Sequence, residues 1–429
     1  QQQSLPIILQ GKDVHAQAKT GSGKTAAFAI GLLHHLDVKS YQVQALVLCP
    51  TRELADQVSK EIRRLARAIP NTKILTLCGG TPLGPQLASL EHQPHIVVGT
   101  PGRILKHLNK GTLRLHSVKT LVLDEADRML EMGFHDDIMH IIDMTPENRQ
   151  TLLFSATYPD EIEAISNAIQ NNPENIEVQS LHDDSDIKQL FFEIHRGERT
   201  SALISLLQHY HPGSSIVFCN RKDQCKQLAK ELKQQDLHAI ALHGDLEQKD
   251  RDQALVQFSN NSSPILIATD VAARGLDIKG LDAVINFELS PDPEIYIHRI
   301  GRTGRAGNKG LALSLFTASE APRINAIEDY QGQAVNIIEI SSLEIKDNFD
   351  LRPVMITLRI SAGRKSKVRA GDILGALTKN TNLPGKQVGK IDIFDMVSYV
   401  AVERGIADQA LEILSRGKIK GRVFKVSKL

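Results

Sequence analysis

Short runs rich in Val, Ile and Leu recur along the chain, with apolar residues at consecutive positions: ALVLCP (45–50), HIVVGT (95–100), TLVLDEAD (120–127) and TLLFSAT (151–157). Helical patterns lie between them. A strand apolar on both sides of its pleat belongs to a sheet covered on both faces, and alternation with helices makes that sheet parallel. The pattern begins again at SIVFCN (215–220) and continues through AIALHGD (239–245), ILIATD (265–270), AVINFE (283–288) and LALSLF (311–316). Two α/β domains are predicted, residues 1–182 and 183–345, parted by the polar, acidic stretch SLHDDSDIKQ (180–189). A second break, SSLEIKDNFDLRP (341–353), precedes a third module at 355–429.

The strands share one regularity. Most end in polar or small residues: Thr51 and Arg52, Thr100 and Gly102, Asp124 and Glu125, Ser155 and Thr157, Asn220, Thr269 and Asp270. In open parallel sheets, ligands bind at the carboxyl ends of strands, so both domains are expected to present those edges to ligands.

The chemistry of one edge is explicit. AKTGSGKT (18–25) follows a predicted strand, KDVHAQA, and precedes a helical run. It is a phosphate-binding loop in its proper setting, with Ala18 where the strict pattern has Gly. The backbone of Thr20, Gly21, Ser22 and Gly23 is expected to turn its N–H groups toward phosphate oxygens, aided by the following helix N-terminus. Lys24 would neutralise the β and γ phosphates, and Thr25 would hold Mg²⁺. In LVLDEADRML (121–130), Asp124 ends an apolar strand, where an unpaired carboxylate is costly. A hydrated Mg²⁺ explains it, and Glu125 is then placed to orient and deprotonate an attacking water. In HRIGRTGRAG (298–307), Arg302 and Arg305 stand three apart on a glycine-rich turn. Both can stabilise charge on a transferring phosphoryl group.

These stretches together resemble the DEAD-box RNA helicases. The matches run from Gln1 to about Ser341 and include PTRELA (50–55), GG (79–80), TPGR (100–103), DEAD (124–127), SAT (155–157), QKDR (248–251) and ATDVAARGLD (268–277), in order. The resemblance implies two RecA-like parallel-sheet domains in tandem, ATP hydrolysis with Mg²⁺, and RNA bound across both domains. It implies that Gln1 reads adenine and Asp277 touches the ribose. It assigns Ser155, Thr157, Asp127, Gln248 and His298 to coupling between the domains. For RNA, Thr51 and Thr100 each follow a strand and open a helix, and helix N-termini take phosphates without reading bases. Arg52, Gly79, Gly80 and Arg103 fit a backbone-gripping surface on the first domain, and Asn220, Arg221 and Thr269 fit one on the second.

Composition is that of an ordinary globular chain, 41% hydrophobic and 24% charged, with no run of 18 apolar residues. Its four cysteines lack metal-ligand spacing and read as reduced, buried thiols, which favours the cytoplasm, a bacterial one by the resemblance of the C-terminal module given below. Charge changes the picture more. The net charge is only +1, yet Met355–Leu429 holds 15 Lys or Arg against 6 Asp or Glu, a net +9 that leaves −8 for the rest. Such asymmetry marks a polyanion-binding module.

That module reads strand, helix, strand, strand, helix, strand, in MITLRIS, AGDILGALT, GKIDIFD, SYVAVE, DQALEILS and RVFKVS. The order predicts a small α+β domain like the RNA-recognition motif. Stacking aromatics are scarce: the third strand offers Tyr399, and Val397 stands where another ring is expected. Basic residues are plentiful instead, with Arg364, Lys365, Lys367 and Arg369 in one segment and Arg416, Lys418, Lys420 and Arg422 in another. The module resembles the C-terminal domain of a bacterial subgroup of the same family. That resemblance implies binding to a large-subunit ribosomal RNA hairpin and a part in large-subunit assembly. The expected function is local unwinding of short RNA duplexes. The rival reading is an ATP-gated RNA clamp with little unwinding; Glu125, Arg302 and Arg305 favour the enzyme.

Overall fold

The computed structural model of the 429-residue chain describes residues 1–17, 23–157, 160–177, 187–273, 280–304, 309–344, 351–379, 381 and 383–429. Strands β1 (Val14–Gln17), β2 (Ala45–Leu48), β3 (Ile74–Leu77), β4 (Ile96–Gly99), β5 (Thr120–Asp124), β6 (Gln150–Ser155) and β7 (Glu174–Glu177) form one parallel sheet ordered β3-β4-β2-β5-β6-β1-β7. Its inner strands feed two cores. Val47, Val122, Leu152 and Phe154 enter the core on one face. Their neighbours Leu46, Leu48, Leu121, Leu123 and Leu153 enter the core on the other. This period of two, apolar on both sides, is why the strands read as continuous hydrophobic runs.

A second parallel sheet repeats the plan. Strands β8 (Ile187–Glu193), β9 (Ser215–Phe218), β10 (Ala239–Leu242), β11 (Ile265–Ala268), β12 (Ala283–Asn286), β13 (Gly310–Phe316) and β14 (Ile337–Glu339) are ordered β10-β11-β9-β12-β13-β8-β14. Counted from the first strand of each sheet, the two orders are identical. The chain therefore folds the same doubly wound architecture twice. Strands β3, β7, β8 and β14 are additions to the sequence-predicted set. Three of them are sheet edges, and β7 buries only Ile176, so their hydrophobic pattern is short or mixed.

The third sheet is antiparallel: β15 (Met355–Ile360), β16 (Val388–Ile393), β17 (Ser398–Glu403) and β18 (Val426–Lys428), ordered β16-β17-β15-β18. Helices Ala370–Thr378 and Ala407–Arg416 supply the crossovers and cover one face through Ile373, Leu377, Ala410 and Leu414. Leu358, Ile360, Val400 and Val402 point into that core. This is the expected βαββαβ order. The last strand is shorter than the RVFKVS run suggests.

The described residues fall into two compact units. Gln1–Asp183 forms one; Asp184–Ala273 and Ile278–Leu429 belong to the other, so the second α/β domain and the C-terminal domain share a unit. Within it, the helix-free face of the third sheet lies on the segment after helix Gln248–Ser259. Thr357 Oγ1 accepts from Asn260 Nδ2 at 3.3 Å and meets Ser262 Oγ at 2.5 Å. Lys390 Nζ donates to Ser259 Oγ at 3.1 Å. Tyr399 sits on this face and is only 3% exposed, with its ring edge-on to Phe394. The sequence reading placed Tyr399 among RNA contacts as a stacking ring; packing against the neighbouring domain buries it instead.

All four cysteines are free and buried. Burial pushes the Cys78 thiol up to about 12 and raises Cys49 as well, so neither is a nucleophile at neutral pH. Among the described residues no helix is long and apolar enough to cross a membrane.

Gly99 tests how tightly this frame is drawn. A Cβ there would lie 2.4 Å from the Leu77 carbonyl oxygen, in the pairing of β3 with β4. Gly99→Ala is expected to cost about 2 kcal/mol or more and to lower the melting temperature by several degrees. An unchanged thermal unfolding curve would contradict this packing.

Candidate active site and nucleic-acid interface

The carboxyl edge of the first sheet is divided between two chemistries. The half formed by β5, β6 and β1 carries the phosphate-site residues. Lys24 opens helix Lys24–His34 behind Gly23, whose φ of 82° is left-handed. Gln1 packs against this turn: its Nε2 donates to the Gly23 carbonyl at 3.2 Å, and a Cβ on Gly23 would lie 2.1 Å from that nitrogen. Thr25 is the second residue of the helix. Thr20, Gly21 and Ser22 lie outside the described residues.

Asp124 ends β5 and is 2% exposed. Burial pushes its carboxyl up to about 6, although Lys24 pulls it down. Lys24 Nζ and Asp124 Oδ1 are both buried and have no hydrogen-bond partner among the described residues. Two orphaned groups of opposite charge, one cationic and one anionic, fit a phosphate and a magnesium ion. Among the described residues there is no cluster of three or more His, Cys, Asp or Glu side chains to cage a metal. That also fits Mg²⁺, which keeps most of its waters and few carboxylates. Glu125 has φ 57° and ψ 55°, a conformation that costs a non-glycine residue about 1–3 kcal/mol and tends to persist at functional sites. Asp127 is buried and does structural work. Its Oδ2 accepts from Ala156 N, Thr157 N and Thr157 Oγ1 at 3.0–3.1 Å. Ser155 Oγ donates to the Thr157 carbonyl at 2.6 Å. The DEAD and SAT stretches are thus clamped together at the ends of β5 and β6.

The other half of the edge, β3, β4 and β2, gathers the residues expected to grip RNA. Thr51 Oγ1 caps helix Arg52–Leu65 by accepting from Leu54 N at 3.3 Å. The Arg52 guanidinium covers the Gly79–Gly80 turn so closely that a Cβ on Gly80 would lie 1.6 Å from Nη1. Thr100 precedes helix Pro101–Asn109, with Pro101 at its first position. Arg103 donates to Gln86 Oε1 at 2.6 Å and to the Thr81 carbonyl at 3.0 Å. Gln86 escaped the sequence reading. Its amide also donates to the Cys78 carbonyl and to Thr81 Oγ1, and His107 Nε2 meets its oxygen at 3.0 Å. It braces the GG turn against Arg103; its only signal is a polar residue, 9% exposed, inside GGTPLGPQ.

Comparison with known proteins supplies the family. The DEAD/DEAH box helicase family matches residues 1–165, and the helicase conserved C-terminal domain matches 198–307. The ATP-dependent RNA helicase DbpA of Escherichia coli is 52% identical over 99% of this chain and 92% of its own. The chain belongs to the DEAD-box family of ATP-dependent RNA helicases. The DbpA of Bacillus subtilis is 38% identical over 100% of this chain and 94% of its own. The structure of S. cerevisiae Dbp5 bound to RNA and ADP BeF3 superposes with a TM-score of 0.71 at 31% identity, over 79% of this chain and 89% of that one. The DbpA RNA binding domain matches residues 357–428. The helicase is therefore of the DbpA type, with two RecA-like domains and a C-terminal RNA-binding domain.

In the helicase's second RecA-like domain, the strands equivalent to β3, β4 and β2 are β10, β11 and β9. Asn220 and Arg221 follow β9, and both are exposed. Thr269 follows β11 and caps the short helix Asp270–Ala273, its Oγ1 accepting from Ala272 N at 3.4 Å. Beneath them lies Arg299, 2% exposed, a residue the motif reading passed over. Its guanidinium donates to both carboxylate oxygens of Asp270 at 2.7 Å, to Asn286 Oδ1 at 3.1 Å, to the Glu288 carbonyl at 2.7 Å and to Asn220 Oδ1 at 2.8 Å. All five of its N–H donors are used, and its carbon rests 5.1 Å from the Phe218 ring centre. Arg299 ties Asn220, one of the residues expected to grip RNA, and Asp270 to the end of helix Pro293–Ile300.

That helix leads into the arginine turn. The carbonyl of Arg302 accepts from Leu281 N at 3.3 Å. Gly304 is backed so closely by Gly310 that a Cβ on Gly310 would lie 2.3 Å from its nitrogen. Arg305 and Asp277 lie outside the described residues. Gln248 donates to Asp252 at 2.8 Å within its own helix, and His298 lies 3.9 Å from Glu294.

Two outcomes follow from buried charge. The Asp124 carboxyl is pushed up to about 6 in the fold, against its ordinary value of 3.8. Protonation is thus favoured in the fold. The stability this brings is full below about pH 4 and is lost as pH rises through 6, a difference of about 3 kcal/mol. Asp124→Asn should therefore stabilise the nucleotide-free helicase at pH 8 and not at pH 4, by urea unfolding; equal effects at both pH values would refute the assignment. Arg299→Ala should cost about 3 kcal/mol, because Asn286 is left buried without its partner and Asp270, one-fifth exposed, loses its cation; a loss under 1 kcal/mol in the same assay would count against the clamp.

Proposed function

We propose that this helicase is targeted by its C-terminal domain to large-subunit ribosomal RNA and pre-ribosomal particles in the bacterial cytoplasm, where it separates short duplexes locally during large-subunit assembly. The observation that carries the targeting is a cluster of exposed cations. Lys365, Lys367, Lys418, Lys420 and Arg422 lie on two segments joined by the Lys420 Nζ bond to the Lys367 carbonyl, 2.9 Å long. None of the five forms an ion pair with a described residue. A tethered anchor raises the local concentration of RNA around a core that carries a net −8.

In this reading Lys24, Thr25 and the backbone of Thr20–Gly23 hold the ATP phosphates, while Gln1 and Asp277 hold adenine and ribose. Thr25 and Asp124 hold the water shell of Mg²⁺, which when bound neutralises phosphate charge. Glu125 orients the attacking water and takes its proton. Arg302 and Arg305 come from the other domain and stabilise the charge that develops on the γ-phosphoryl group. Hydrolysis then requires closure of the two RecA-like domains. RNA favours closure by engaging both grips at once: Thr51, Arg52, Gly80, Thr100 and Arg103 on one domain, Asn220, Arg221 and Thr269 on the other. Ser155, Thr157, Asp127, Gln248 and His298 transmit the change. A strand held along its backbone and bent no longer fits an A-form duplex, so its complement is released.

Two experiments test this. Arg305→Ala should abolish RNA-stimulated hydrolysis while nucleotide still binds; normal turnover would remove the finger assignment. Ribosomal RNA fragments should stimulate the ATPase more than homopolymer RNA, and Lys365→Glu/Lys418→Glu should erase the difference. Equal stimulation by all RNAs in the wild-type chain would defeat the targeting. Duplex release measured beside the ATPase rate separates an unwinding enzyme from a clamp.

A further inference from the structure

Gln86 lies on helix Leu83–Leu90 and is 9% exposed. A glutamine amide can make four hydrogen bonds, two as donor and two as acceptor. Here all four are made. Its Nε2 donates to the Cys78 carbonyl at 3.1 Å and to Thr81 Oγ1 at 2.9 Å. Its Oε1 accepts from Arg103 Nη1 at 2.6 Å and faces His107 Nε2 at 3.0 Å. A flipped amide would set its nitrogen against the Arg103 donor and its oxygen against a carbonyl, so one orientation is allowed.

That orientation fixes His107 as well. The ring is fully buried, and Gln86 Oε1 can only accept, so the ring carries its proton on Nε2. Burial lowers the pKa of the ring, and Arg103, Lys106 and Lys110 lower it further, which keeps it neutral. Nδ1 is then an acceptor, and the Thr112 hydroxyl stands 3.0 Å from it. A chain of hydrogen bonds thus runs from Thr112 through His107 and Gln86 to Arg103.

The far end of the chain is a pair of candidate RNA contacts. Cys78 and Thr81 flank the Gly79–Gly80 turn, in which Gly80 is left-handed with φ of 72°. Gln86 bonds to both flanks, and Arg103 Nη2 adds a bond to the Thr81 carbonyl at 3.0 Å. Among the described residues Arg103 spends two of its five N–H donors on these bonds, and the other three are left for a ligand. The turn, helix Leu83–Leu90 and helix Pro101–Asn109 therefore meet on one amide.

We propose that Gln86 and His107 are positioning residues for RNA: one amide, oriented by one imidazole, sets Arg103 and the Gly79–Gly80 turn as a single preformed unit. The inference rests on the reading of Arg103 and Gly80 as RNA contacts. An arginine loses rotamer freedom when it grips a phosphate, and a brace that has already removed that freedom makes binding tighter. His107 acts at one remove, by holding the oxygen of Gln86 toward Arg103.

The test is ATP hydrolysis by the full-length chain, stimulated by polyuridylate, which offers a backbone without a duplex. Two quantities are read: the RNA concentration for half-maximal stimulation, and kcat at saturating RNA. Gln86→Leu should raise the first about tenfold and move the second far less. A partly unfolded preparation does the reverse, lowering kcat and leaving half-saturation alone. His107→Leu should raise half-saturation about threefold. His107→Gln, whose amide nitrogen reaches the place of Nε2, should restore it, a recovery that a general loss of packing does not give. In Gln86→Leu/Arg103→Ala the two losses should fall well short of multiplying, because Gln86 acts through Arg103. Half-saturation unmoved by Gln86→Leu, equal values for His107→Leu and His107→Gln, or losses that multiply in full each overturn the proposal. Arg103→Ala alone should raise half-saturation by about tenfold or more. If it does not, Arg103 is no RNA contact, and the reading beneath the proposal falls first and takes the proposal with it.

Discussion

A parallel sheet covered on both faces has only the ends of its strands left for polar chemistry. In this helicase the inner strands are mostly apolar up to their carboxyl ends, and the change comes at once: Leu123 is followed by Asp124, Gly99 by Thr100, Ala268 by Thr269. Strand order then decides which ends become neighbours. In the first domain the ends of β5, β6 and β1 collect the residues proposed for the nucleotide and those of β3, β4 and β2 the residues proposed for RNA. The second domain has the same order, and its candidate RNA residues again follow the second and fourth strands. One plan, used twice, puts the candidate RNA residues of the two domains at matching strand ends.

The nucleotide half is kept under tension by its own burial. Lys24 and Asp124 are held in low dielectric without hydrogen-bond partners, and Glu125 is held in left-handed backbone. Each state costs free energy that a ligand with the complementary charge recovers on binding. The RNA half is built in the opposite way. Arg103 is braced by Gln86, and Asn220 and Asp270 by Arg299, so their supports are satisfied before any ligand arrives.

The C-terminal domain shows how a fold can keep its architecture while one face of its sheet packs on a neighbouring domain. Its sheet has the strand order expected of an RNA-binding module, yet the face that order usually offers to bases is closed by Asn260 and Ser262. Its two basic segments carry the charge asymmetry of the chain.

By itself the sequence determined the two α/β domains, the small βαββαβ domain and most residues at the strand ends. Each depends on local information: apolar runs of strand length, turns of glycine, a carboxylate where a hydrophobic run stops. Tertiary structure alone decided the rest. The edge strands β3, β7 and β14 were hidden because an edge is covered on fewer sides and its pattern is correspondingly weak. Gln86 and Arg299 were hidden because their partners come from other segments of the chain: Arg299 is 79 residues from Asn220 and 29 from Asp270. Tyr399 reads as an exposed ring on a third strand, and it is buried because another domain packs there. Periodicity tells which side of a strand is apolar; only packing tells what lies against the other side.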